Sequence, residues 1–236
     1  MDIMNVLPQE QFEKIDDLLA FVSIYDDDER TSAYKKLLKK NQNIIRGKVC
    51  VEAGCGFGWM AEEMAKLGAH KVYAVEANDH LYNIAKARLQ PFENVHVVHS
   101  EIQCFVPEEK VSVLVHEFFG QLLFDEDIFV LDQLKFSPDH ILPNKALLKM
   151  STLSSFGFVD DVVTLDVLKE LKGALVTGLF DAKEIVPEST IMEWQPGLEN
   201  YSAVITLPES KADLLCFGLE IYHDDQFVCR AEECDN

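Results

Sequence analysis

Hydrophobic positions change their spacing several times along the chain. Between residues 9 and 22, Phe12, Ile15, Leu18, Leu19 and Val22 recur at helical intervals, with Glu13, Asp16 and Asp17 between them, which predicts an amphipathic helix. Residues 26–46 predict a second helix, opened by Asp26-Asp27-Asp28-Glu29 and crowded toward its far end by Lys35, Lys36, Lys39 and Lys40. Acids suit the positive end of a helix dipole and cations the negative end. From residue 48 the pattern becomes short apolar runs: 48–52, 71–76, 95–98 and 111–115, with helical stretches at 59–67 and 79–89. Strands alternating with helices predict a parallel sheet with crossover helices. A further helix is predicted over Leu122–Leu134. After Pro143 the segments 146–156, 162–167, 203–207, 214–222 and 226–231 turn β-rich, with Gly and Pro between them, and predict an antiparallel barrel or sandwich.

A chain of 236 residues, 48% hydrophobic, can bury a large core in one domain with a smaller appendage. No run of 18 apolar residues suggests a membrane span, and the N-terminus lacks a secretory pattern. Six scattered cysteines, none in a Cys-x-x-Cys pair, offer no zinc site and read as reduced thiols of a cytoplasmic protein. The balance of 41 acidic to 21 basic residues, formally −20, repels nucleic acid and anionic membranes. It attracts a cationic partner or only maintains solubility, and charge alone does not separate the two.

The segment that carries chemistry begins at Val51-Glu52-Ala53-Gly54-Cys55-Gly56-Phe57-Gly58. Glycine at alternate positions lets the backbone turn and approach a ligand with no Cβ in the way. A nucleotide-type site also needs an acid at the end of the next strand for ribose hydroxyls, and Glu76 stands there. A dinucleotide loop reads G-x-G-x-x-G, whereas Trp59 follows Gly58, so the third glycine comes one residue early. The acid-x-G-x-G-x-G form from Glu52 resembles the class I S-adenosylmethionine-dependent methyltransferases. In that fold Glu101, after the third strand, faces the adenine. Ala77 and Ile102, beside Glu76 and Glu101, join the cofactor-binding set.

The fourth strand ends in His116-Glu117-Phe118-Phe119-Gly120, and Glu126 follows Glu117 by nine residues. Ligands of open α/β sheets bind at carboxyl strand ends, which puts Glu117 beside the cofactor. Two carboxylates in an apolar pocket repel and are poorly solvated, so a cation relieves both costs. Arginine matches them: its planar fork binds carboxylates bidentately and stays protonated. His116 reads as a proton acceptor or as lining of this loop, Trp194 as substrate contact or core, and Asp125 as a substitute for Glu126.

This segment resembles the double-glutamate loop of the protein arginine methyltransferases, in glutamate spacing and in its Glu-aromatic-x-Gly start. The similarity continues through Ser137–Ala146, and upstream in Asp28-Glu29-Arg30-Thr31. The resemblance implies an α/β fold: a Rossmann-like class I methyltransferase sheet with N-terminal helices, then a small, truncated antiparallel β-barrel-like region. It divides the chain into helices over the cofactor site (1–46), a cofactor domain (47–143) and a β-rich substrate-side domain (144–236). It implies that Arg30 grips the cofactor's methionyl carboxylate, that Glu52, Gly54, Gly56 and Gly58 form the cofactor loop, and that Glu76 holds the ribose. Catalytic Glu117 and Glu126 then hold the guanidinium of an arginine-containing, cationic protein or peptide. A small amine, a natural-product peptide, or a non-catalytic role beside an active relative are the alternatives. The family's Tyr-Phe-x-x-Tyr pattern is reduced to Phe12, with Ile15 and Phe21 where a tyrosine and a histidine are expected, and the Thr-His-Trp loop is absent from the sequence. A homodimer would rest on a reduced arm within Lys169–Glu193.

Overall fold

The computed structural model describes residues 8–120, 122–124, 126–157, 159–176, 187–198, 204 and 212–230. It opens with α1 (Gln9–Asp26) and α2 (Asp28–Lys40), followed by the short α3 (Gln42–Ile45). The second predicted helix is thus shorter than 26–46. Asp27 is its N-cap, accepting the Arg30 amide at 2.9 Å, and the chain breaks again at Asn41 before α3. Asp28 and Glu29 fill the first turn of α2, and Lys39 and Lys40 its last.

Next come β1 (Val49–Ala53), α4 (Trp59–Lys66), β2 (Lys71–Glu76), α5 (Asp79–Leu89), β3 (Val95–His99), β4 (Val113–His116) and β5 (His140–Leu142). These five strands are parallel, in the order β3-β2-β1-β4-β5. β1 is buried along its whole length and β2 over all but its first residue, as a sheet covered on both faces requires. Strand order reverses between β1 and β4, the switch point at which α/β sheets bind ligands.

Among the described residues, the helix expected over Leu122–Leu134 is a 3-10 segment, Ile128–Gln133. Leu123 and Asp127 adopt left-handed φ values of 74° and 59°, which no continuous helix accommodates.

Beyond it, β6 (Lys145–Leu153), β7 (Ser189–Trp194), β8 (Leu214–His223) and β9 (Gln226–Arg230) form an antiparallel sheet in the order β7-β6-β8-β9. Among the described residues it does not close into a barrel. Residues 162–167, expected as strand, instead lead into α6 (Leu165–Glu170), because the Thr164 hydroxyl accepts the Val167 amide at 3.3 Å and caps a helix. β7 is not expected from the sequence, and the predicted strand 203–207 lies outside the described residues except for Val204. Of the span Lys169–Glu193, residues 177–186 also lie outside them.

One core joins the two sheets. Trp194, fully buried, stands edge-on to Phe119 and His116, with ring centroids 5.5 Å and 5.6 Å away. No helix among the described residues is long and apolar enough to cross a membrane.

Candidate functional site

β1 runs straight into the glycine loop, and α4 begins immediately after it. Gly56 has φ 52°, and a Cβ there would meet the Tyr25 hydroxyl at 2.8 Å and the Phe21 ring at 3.1 Å. Gly58 has φ 76°, and a Cβ would meet Leu89 Cδ1 at 2.5 Å. Both positions combine left-handed backbone with close neighbours, so the alternation of glycine has a physical cause. Replacing Gly56 by Ala should cost about 1–3 kcal/mol of local strain and weaken cofactor binding to match. Calorimetry and thermal unfolding of the variant check this; undiminished affinity would mean that the loop takes no part in binding.

Glu76, at the end of β2, clamps the loop. Its carboxylate accepts the Gly56 amide at 2.8 Å through one oxygen and the Asn78 amide at 2.8 Å through the other. Glu52 is wholly buried at the end of β1; its Oε2 accepts the Ala61 amide at 2.7 Å. Glu101 lies exposed after β3 and accepts from Gln103 at 3.1 Å, with Ile102 buried beside it. Ala77 is exposed, and its carbonyl lies 3.0 Å from His99 Nε2.

Glu117 follows β4 directly, and its side chain is only 15% exposed. Arg30, buried near the start of α2, donates from Nε to Glu117 Oε1. The residue implied as a cofactor ligand and the residue implied as the acceptor's ligand therefore meet each other. Burial raises the Glu117 pKa, the Arg30 guanidinium pulls it down, and Asp27 pushes it up again; burial wins. Burial also disfavours the charge on Arg30, but Glu117 outweighs it and keeps the guanidinium protonated. Glu126 sits on an exposed turn, and its charge also acts on Arg30. Asp125 lies outside the described residues.

His116 lines this loop rather than opening to solvent. Its Nε2 lies 3.0 Å from the Pro143 carbonyl, and Nδ1 takes the Phe118 amide at 3.4 Å. Burial pushes its pKa down to about 4, so it is neutral near pH 7.

Gly54, Gly56, Gly58, Glu52, Glu76, Arg30 and Glu117 thus gather at the carboxyl ends of β1, β2 and β4. Two further residues join the site without belonging to any of its sequence motifs. Tyr25 lays its ring on Phe57 at 4.6 Å; its hydroxyl accepts the Phe57 amide at 2.8 Å and donates to the Cys55 carbonyl at 3.2 Å. The signal was its i,i+4 spacing from Phe21, which also faces Phe57, at 6.0 Å. Asp27 caps α2 with Oδ1, while its buried Oδ2 has no partner among the described residues.

These residues fit a sulfonium nucleoside: a loop with no room for Cβ atoms, an acid at the end of β2, and the buried Glu52 with one carboxyl oxygen unpartnered among the described residues. Residues 50–129 match the methyltransferase domain family. Protein arginine N-methyltransferase 2 of Dictyostelium discoideum is 30% identical over 194 residues, 77% of this chain and 36% of that protein. Protein arginine N-methyltransferase 6 of Danio rerio is 32% identical over 173 residues, 69% of this chain and 48% of that protein. The chain spans half or less of the length of the curated relatives it matches. In fold, the crystal structure of PRMT6 with SAH matches at a TM-score of 0.67 and 14% identity, covering 89% of this chain and 82% of that one.

Proposed function

We propose that this chain, a class I S-adenosylmethionine-dependent methyltransferase resembling the protein arginine methyltransferases, methylates the guanidinium of an arginine in a cationic protein or peptide. The observation that carries the reading is the Arg30–Glu117 pair beside the glycine loop. In its partly dry slot this carboxylate already takes a guanidinium, the group proposed for the acceptor.

S-adenosylmethionine supplies an electrophilic methyl group on a positively charged sulfur. Gly54, Gly56 and Gly58 would receive it against the backbone, with Glu52 beneath the loop; Glu76 would hold the ribose, and Ala77, Glu101 and Ile102 would border the adenine. Arg30 has five N–H donors, enough to serve Glu117 and the methionyl carboxylate together. Glu117 and Glu126 would pin the acceptor guanidinium and draw its positive charge toward the nitrogens that do not react. The nitrogen left unpinned would face that methyl group and, on taking it, would pass its N–H proton to solvent while the carbon–sulfur electron pair stays on sulfur. Positioning and fixed charge carry the rate.

The test is purified protein with labelled cofactor and an arginine-containing peptide, read by mass spectrometry. Methylarginine is the expected product. Label transferred to lysine or to a small amine would keep the cofactor and overturn the acceptor. No transfer to any amine or guanidine would overturn the activity.

A further inference from the structure

Glu52 is completely buried, yet only one of its carboxyl oxygens has a partner. Oε2 accepts the Ala61 amide at 2.7 Å, while Oε1 meets no donor among the described residues. The groups around it are mostly acidic. Glu76 comes from β2 and Glu117 from the end of β4. Tyr25 of α1 adds a phenol and Cys55 of the glycine loop a thiol. The favourable field acting on it comes chiefly from the Met60 and Ala61 amides in the first turn of α4, while Arg30 pairs with Glu117. Burial above all, opposed by those amides and reinforced by Glu117 and Glu76, raises the Glu52 pKa to about 8. Near pH 7 Glu52 therefore carries a proton in the protein alone.

Among the described residues no cation pairs with Glu52, and the methionyl end of the cofactor carries an α-ammonium and a sulfonium. We propose that Glu52 receives that cationic end and gives up its proton as the cofactor enters, so that loading is coupled to release of one proton. The inference rests on the cofactor reading above. It adds a linkage that neither the fold nor the acceptor requires.

The sign follows from mass action. Protons compete with the cofactor for Glu52, so affinity rises with pH, by up to ~10-fold per unit, until about pH 8. Measurement belongs between about pH 6 and 7.5, below the range of about 7.7–8.0 in which an α-amino group loses its own proton.

The experiment is titration calorimetry of the full chain with S-adenosylmethionine at pH 7, in phosphate and in Tris. The difference between the two observed enthalpies counts the protons released. About 0.9 proton per site is expected from a pKa of about 8. Glu52→Gln should abolish the release and flatten the pH dependence of affinity. Binding without proton release overturns the inference and leaves the cofactor reading standing, as does release that persists in Glu52→Gln. Failure to bind S-adenosylmethionine at all overturns the cofactor reading itself. Should Glu52→Gln not fold, the proton count and pH profile of the unmodified protein decide alone.

Discussion

Glu117→Gln should leave the protein folded and able to bind its cofactor, yet slow methyl transfer by roughly 10²–10³-fold. The substitution preserves shape, and the new amide oxygen can still accept from Arg30 Nε. It removes the negative charge that would polarise the acceptor guanidinium, in a slot where the side chain is only 15% exposed and screening by water is weak. The same logic gives a pH dependence. Burial holds the Glu117 pKa above its ordinary value, so the rate should fall on acidification at a higher pH than an exposed carboxylate would dictate. Single-turnover transfer with saturating cofactor isolates the effect from binding. A loss smaller than about threefold would remove Glu117 from the acceptor site, because no preorganised charge of this kind contributes so little.

Trp194→Ala should cost about 3–5 kcal/mol of stability. Trp194 has no exposed surface, and it wedges the end of β7 against Phe119 and His116, which belong to the end of β4 and the loop beyond it. Its removal opens a cavity where the two sheets meet, one residue from Glu117. Its Nε1 has no hydrogen-bond partner among the described residues, so shape and area carry the contribution. Trp194→Phe should accordingly retain more than half of it. Urea unfolding of both variants, with the slope against denaturant unchanged, measures the difference. A cost below about 1 kcal/mol for Trp194→Ala would mean that the sheets are joined elsewhere.

What could be read in advance was local in character. The alternation of apolar runs and helical stretches placed β1 to β4, α4 and α5, because continuous apolar strands and helical periodicity survive without tertiary context. The glycine loop and Glu76 were legible because their spacing along one chain sets their geometry. The misses were decided by backbone handedness or by distant partners. Left-handed Leu123 and Asp127 cut the helix expected after β4, and nothing in the side chains of that apolar stretch announces it. The Arg30–Glu117 pair joins residues 87 positions apart, so only the fold discloses it. Glu52 reads in sequence as the acid that opens the glycine loop, with nothing in the spacing to mark its charge state. Its burial, and the proton it keeps, come from strands that close around it.

β7 and β8 flank β6 from opposite sides, so β6 fixes where each of them lies. A proline introduced into the middle of β6 would therefore disturb two neighbours at once, whereas the same change in β9, which pairs with β8 alone among the described strands, would disturb one.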